Sequence, residues 1–131
     1  MAARKQPSKL ELVILGLLWE RGPLTTREVL ESLPDGKERA YTSVLSVLQA
    51  MERKGHVAHT ARANTNVYYA VAKRERTVGR VLSDMVRDVF GGSRAAAVQE
   101  LLGGEEVTAE ELNEIHRLIG NLKKQRGGDV K

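Results

Sequence analysis

A mostly helical fold with one small β-hairpin is predicted by three observations. Helix-start signatures, a Ser or Thr followed three residues later by Glu, recur at Ser8, Thr25 and Thr108. Apolar residues follow the helical period up to about residue 54 and again from about residue 74. Between those stretches, after Gly55, the period drops from 3.6 to 2, as in a strand pair.

The first helix opens at Ser8-x-x-Glu11, where the hydroxyl can accept the N3 amide hydrogen and the carboxylate can return to the cap amide. Leu10, Val13, Ile14, Leu17 and Leu18 form its apolar stripe, and Gly22-Pro23 stops it. The second, over 25–33, starts at Thr25-x-x-Glu28 with Leu24 and Val29 placed as a hydrophobic staple. It ends before the turn Pro34-Asp35-Gly36. A third helix runs from about Ala40 to Lys54, with Tyr41, Val44, Leu45, Leu48 and Met51 inward and Gly55 suited to C′. Its other face carries Thr42, Ser43, Ser46, Gln49 and Arg53.

Val57 then sits between polar neighbours, and Val67-Tyr68-Tyr69-Ala70-Val71 is rich in β-formers. The stretch 61–66 between them holds Asn64 and Asn66, residues with turn chemistry. Three helices followed by a hairpin is the order of a winged helix-turn-helix, expected over residues 1–72. Residues 73–131 are expected to form a helical dimerisation segment. A long helix over 74–90 carries Val78, Val81, Leu82, Met85, Val86 and Val89 on one face, and Gly91-Gly92 ends it. A short helix with Leu101 follows, then a last one with Leu112, Ile115, Leu118, Ile119 and Leu122, started at Thr108-x-x-Glu111. The tail from Gln125 is expected to fray. Fewer than about 60 residues rarely supply a stable core alone. Their stripes are therefore expected to pair with a second copy, and a two-fold dimer is the commonest oligomer.

Composition narrows the function. The chain has 131 residues, 41% of them hydrophobic, and a net charge of +4, which fits a small domain with an appendage. No cysteine is present, so disulfides, thiolate metal sites and a cysteine nucleophile are excluded. No apolar run approaches the roughly 18 residues of a spanning helix, so no membrane insertion and a cytoplasmic location are expected. Charge is unevenly placed: 53–94 holds nine basic residues against Glu75, Asp84 and Asp88, whereas 99–114 holds six Glu and no Lys or Arg. The middle of the chain is thus compatible with phosphate, and the C-terminal part is not.

Catalysis is not expected. His56 and His59 are three apart on a predicted strand and point to opposite faces, and His116 lies on a Glu-rich helix. The Glu pairs at 105–106 and 110–111 suit a solvated helix start. No catalytic residue, no metal and no cofactor is assigned. Double-stranded DNA fits better, because the second helix of a helix-turn-helix enters the major groove. Thr42, Ser43 and Ser46 can bond base edges or phosphates, and Gln49 can pair with adenine. Arg53, Lys54, Arg62, Lys73 and Arg74 could supply backbone contacts.

The run Ala40-Tyr41-Thr42-Ser43-Val44-Leu45-Ser46-Val47-Leu48-Gln49, with Met51, Lys54-Gly55 and the wing ending at Tyr68-Tyr69, resembles the penicillinase-repressor (BlaI/MecI) family. Leu12, Leu18, Trp19 and Gly91-Gly92 extend the likeness to roughly residues 8–124. The resemblance implies a dimeric transcriptional repressor that binds palindromic operators and interlocks through its C-terminal helices. It implies base contacts from Thr42, Ser43 and Ser46, and backbone contacts from Tyr41, Arg53 and wing residues such as Asn64. In β-lactam-responsive members, concerned with antibiotic resistance, a membrane sensor-protease cuts the repressor and breaks the dimer. The position aligned with the family's scissile Asn-Phe bond reads Gln99-Glu100 here, which a pocket shaped for an apolar residue should reject. Copper-responsive relatives carry a cysteine cluster that this chain lacks, which excludes thiolate copper sensing. Two other readings stay open at this point: a winged-helix protein-interaction module without DNA specificity, and a repressor that senses a small molecule.

Overall fold

A computed structural model describes residues 6–127. The described elements run α1 (Lys9–Arg21), β1 (Leu24–Thr25), α2 (Thr26–Ser32), α3 (Tyr41–Arg53), β2 (Val57–Arg62), β3 (Thr65–Ala70), α4 (Arg74–Val89), α5 (Arg94–Leu102) and α6 (Ala109–Gly127). The chain divides into two compact units, one up to Leu82 and one from Ser83, so α4 straddles the boundary.

The helix starts form as their signatures require. Ser8 and Thr25 each make a complete capping box, with Glu11 and Glu28 returning to the cap amides at 2.9 and 2.8 Å. The Thr108 hydroxyl accepts the Glu111 amide hydrogen at 3.0 Å at the start of α6. That helix continues to Gly127, past the expected fraying point at Gln125.

The hairpin differs from its sequence expectation. Its strands extend to Arg62 and Thr65, so the expected six-residue loop shrinks to Ala63-Asn64. Both residues have positive φ, 49° and 69°, as a two-residue turn matched to right-handed strand twist requires. Asn tolerates that region; Ala63 is there because strand pairing on both sides demands it. A third strand was also unforeseen. Leu24 and Thr25 pair antiparallel with Tyr68 and Val67, giving the sheet order β1-β3-β2. Two residues that double as a helix cap carry no strand periodicity.

The core of the first unit is closed by α1, α2, α3 and the sheet. Ile14, Leu15, Leu18, Val29, Val44, Leu48, Met51, Val57 and Tyr68 are all buried. Each fully buried large aliphatic side chain contributes about 1.5–3 kcal/mol of transfer free energy. Leu15 is enclosed although it lies off the expected α1 stripe, because that helix meets neighbours on more than one side. Tyr41, expected inward, is instead exposed at the first position of α3.

Two polar links hold the unit together. Glu11, nearly enclosed in α1, accepts two bonds from the Lys54 Nζ at 3.0 and 2.9 Å. Burial pushes its carboxyl pKa up, but the Ser8 amide and the Lys54 ammonium, with a smaller effect from His56, outweigh it and hold the carboxyl below its ordinary value. Trp19 donates through Nε1 to the Ala72 carbonyl at 2.9 Å, which ties the end of the wing to α1.

The second unit is different in kind. Gly91 and Gly92, both at positive φ, reverse the chain after α4, where the Gly92 amide donates to the Val86 carbonyl at 2.9 Å. The Ser93 hydroxyl caps α5. Among the described residues of α4, α5 and α6, none is buried.

Candidate nucleic-acid interface

The loop before α3 decides how that helix is presented. Asp35 accepts the Lys37 amide at 3.1 Å and both guanidinium nitrogens of Arg39 at 2.9 and 2.8 Å. The Arg39 guanidinium, with the Lys37 amide, holds the Asp35 carboxyl down to about 2. The loop is therefore braced at both ends rather than left open. Ala40 at the N-cap provides no side-chain bond, so the first turn of α3 keeps amide donors for an external acceptor.

Along α3 the apolar residues Val44, Leu48 and Met51 are buried, which turns the opposite face outward. Thr42, Ser46, Gln49 and Arg53 lie at i, i+4, i+7 and i+11, one stripe, with Ser43 beside it. All five are exposed. Short hydroxyls at the N-terminal end let a base edge approach closely, and the longer Gln49 and Arg53 lie toward the other end. Tyr41 stands at the rim, and the Arg27 guanidinium of α2 lies 5.5 Å from its ring centroid. Thr25, Arg27, Tyr41 and Thr65 together line a shallow hollow beside the start of α3. Arg27 was not expected in the interface. A single cation in a short helix has no signature, and only folding brings it to a tyrosine fourteen positions away.

Arg62 ends β2 and Asn64 occupies the hairpin turn, both exposed at the tip of the wing. His59 of β2 bonds Glu52 of α3 through Nδ1 at 2.8 Å, which couples the wing to the helix it flanks. Arg74 is exposed at the first position of α4. Two other expected backbone contacts have different surroundings. Lys54 is held by Glu11. Lys73 lines a hollow against Gly55 and His56, beyond the C-terminal end of α3. With thirteen residues α3 rises about 20 Å, so Lys73 lies at the far end from Thr42.

The residues expected at a dimer interface also take definite places. Leu82, Met85, Val89, Leu101, Leu112, Leu118, Ile119 and Leu122 are exposed, and Leu101 is 73% accessible. Val78, Val81, Val86 and Ile115 are half-buried.

The family model of the penicillinase repressor matches residues 7–121, and so takes in the three-helix, three-stranded unit and the outward polar face of α3. The chain belongs to the penicillinase-repressor family. It is a DNA-binding transcriptional repressor with a winged-helix fold. It is 30% identical to the transcriptional regulator BlaI of Mycobacterium tuberculosis, over 97% of this chain and 92% of that one. It is 19% identical to the penicillinase repressor of Bacillus licheniformis, over 92% of this chain and 94% of the relative. Among solved structures it is similar to a MarR family protein of Bacillus stearothermophilus, with a TM-score of 0.52 and 22% identity. That match covers 92% of this chain and 75% of the other, and it is a likeness of fold. Among the described residues of this penicillinase-repressor family member, no helix is long and apolar enough to cross a membrane.

Proposed function

We propose that this repressor acts as a homodimer that occludes a promoter by binding an inverted-repeat operator. The outward stripe of α3 carries the reading: it is exposed, short at its N-terminal end, and set on a helix whose other face is locked in the core. Thr42, Ser43, Ser46 and Gln49 meet base edges in the major groove. Tyr41, Arg53, Arg62, Asn64 and Arg74 meet the phosphate backbone, joined by Arg27 beside Tyr41. Lys54, engaged by Glu11, serves instead to hold α3 on α1.

Residues 73–131 form the dimerisation part. The exposed stripes of α4 and α6 are the support for this, since a face of Met85, Val89, Leu118, Ile119 and Leu122 is costly to leave in water. Pairing two winged units lets one bound half-site raise the effective concentration of the other. The repressor works in the cytoplasm, where its operator lies. Gln99 and Glu100, exposed on α5, offer no apolar residue for a sensor-protease of the β-lactam type, so release takes a different route.

The test is a gel-shift titration with the DNA upstream of this chain's own gene. Thr42→Ala or Ser46→Ala should relax base preference by about 1 kcal/mol or more per lost contact. Arg62→Ala should weaken all sequences alike and flatten the salt dependence. If Arg62→Ala altered base preference and Thr42→Ala did not, α3 would not be the reading helix.

A further inference from the structure

We propose that the hollow where β3 runs into α4 is a binding site for a small metabolite bearing a phosphate or carboxylate group. The hollow has a volume of about 270 Å³. Three of its walls' side chains are the cations Lys73, Arg76 and Arg80, and among the described residues no acidic one lines it. Their spacing, i, i+3 and i+7, puts all three on one face at the start of α4. Among the described residues none of the three has an ion-pair partner, whereas Arg39, Lys54 and Arg87 are all paired. Three like charges gathered at one opening repel one another, and an oxyanion between them relieves that repulsion.

The opposite wall is preformed. His56, 3% exposed, receives both the Val71 and Ala72 amides on its carbonyl at 2.9 and 3.1 Å, and its own amide donates to the Met51 carbonyl at 2.9 Å. Trp19 holds the Ala72 carbonyl from the other side. The Glu11 carboxylate, which feels the His56 ring, is already occupied by Lys54 and the Ser8 amide, so it does not neutralise the hollow's cations. Gln6, Pro7, Gly55 and Thr77 also line the hollow. A wall already held by these backbone hydrogen bonds lowers the cost of ordering a ligand.

Size and position favour a small molecule over DNA. Ligand pockets usually enclose about 300–1,000 Å³, so this one admits only a small occupant. A duplex cannot enter it, and the hollow lies past the C-terminal end of α3, away from Thr42 and Ser43. An anion held there would bridge the Gly55-His56 turn to the first turns of α4. Occupancy would fix the beginning of α4 on the winged unit, a means of coupling ligand to operator affinity.

The experiment titrates the full chain with inorganic phosphate, and separately with acetate, against chloride at matched ionic strength, followed by amide NMR shifts. Saturable shifts at Gly55, Ala72 and Thr77 in the millimolar range are expected. Saturation by phosphate alone or by acetate alone supports the site and assigns its ligand class. Arg76→Gln and Arg80→Gln should each weaken binding by about tenfold. Arg76→Lys should retain most of it, and Arg117→Gln on α6 should change nothing. No saturation by either anion, or equal weakening by Arg117→Gln, overturns the proposal. It is also overturned if Arg76→Gln lowers affinity for all DNA sequences while phosphate binding is unchanged, since the cations would then be backbone contacts. No DNA enters the anion titration, so its failure would leave the operator reading intact.

Discussion

The winged unit and the C-terminal helices are built from similar amphipathic helices, yet they reach opposite states of burial. Ile14, Val29 and Leu48 are fully enclosed, while Leu82, Val89 and Leu118 each leave more than half their surface in water. The difference does not lie in the helices themselves, since α4 has as regular an apolar stripe as α3. It lies in what crosses them. In the first unit a three-stranded sheet and three helices close on one another, so each stripe finds a neighbour within the chain. Among the described residues of α4–α6 no such closure exists. Amphipathicity specifies a face to be covered; it does not say by what.

The largest expected effect tests the uncovered side of that contrast. Leu118→Asp should convert a dimer to a monomer in sedimentation and reduce operator affinity by about 10²–10⁴-fold, the loss of linked half-sites. An unchanged dimer would remove α6 from the interface. Leu48→Ala tests the covered side and should cost about 2–5 kcal/mol in urea denaturation, as a cavity in an enclosed core does. Leu101→Ala, at an exposed position, should lower stability only in a manner that depends on protein concentration. A large, concentration-independent loss at Leu101 would show that the second unit has a core of its own.

Next in size is the polar link of the winged unit. Glu11→Gln should destabilise by about 2 kcal/mol, below the usual cost of breaking a buried pair because Lys54 can turn to water. Folding lowers the Glu11 pKa from its ordinary 4.5, so its contribution is complete above that value. It is lost as pH falls through the lower folded value, because the unfolded chain then binds the extra proton. The wild-type stability should therefore fall more steeply with acid than that of Glu11→Gln. Parallel acid profiles would refute the role given to this pair. The smallest effect belongs to the hairpin. Ala63→Gly should stabilise the winged unit by about 0.5 kcal/mol, relief of positive φ partly offset by glycine's entropy. A destabilising result would mean that the turn is held differently in solution.

Much of the first unit was legible in the residues. Capping boxes at Ser8 and Thr25 are local, so their chemistry survives whatever the rest of the chain does. The polar stripe Thr42, Ser46, Gln49 and Arg53 was legible for the same reason, since helical spacing alone puts those positions together. That Lys54 is held by a partner was not legible, because charge in a sequence says nothing about partners. Glu11 lies forty-three positions from Lys54. Arg27 was missed beside Tyr41, and Arg76 and Arg80 beside His56, for the complementary reason: each cluster joins separate elements.

By itself, then, the amino-acid sequence determined the helices, their starts and stops, the exposed face of α3 and the absence of thiol chemistry. These follow from interactions among residues within about four positions of one another, or from composition. Only the tertiary structure decided that β1 joins the sheet, that the wing closes in a two-residue turn, and that Lys54 is taken by Glu11. It also decided that Lys73, Arg76 and Arg80 line one hollow with the Gly55-His56 turn. Those outcomes depend on pairings between distant residues, and such pairings exist only once the closed core has brought the elements together.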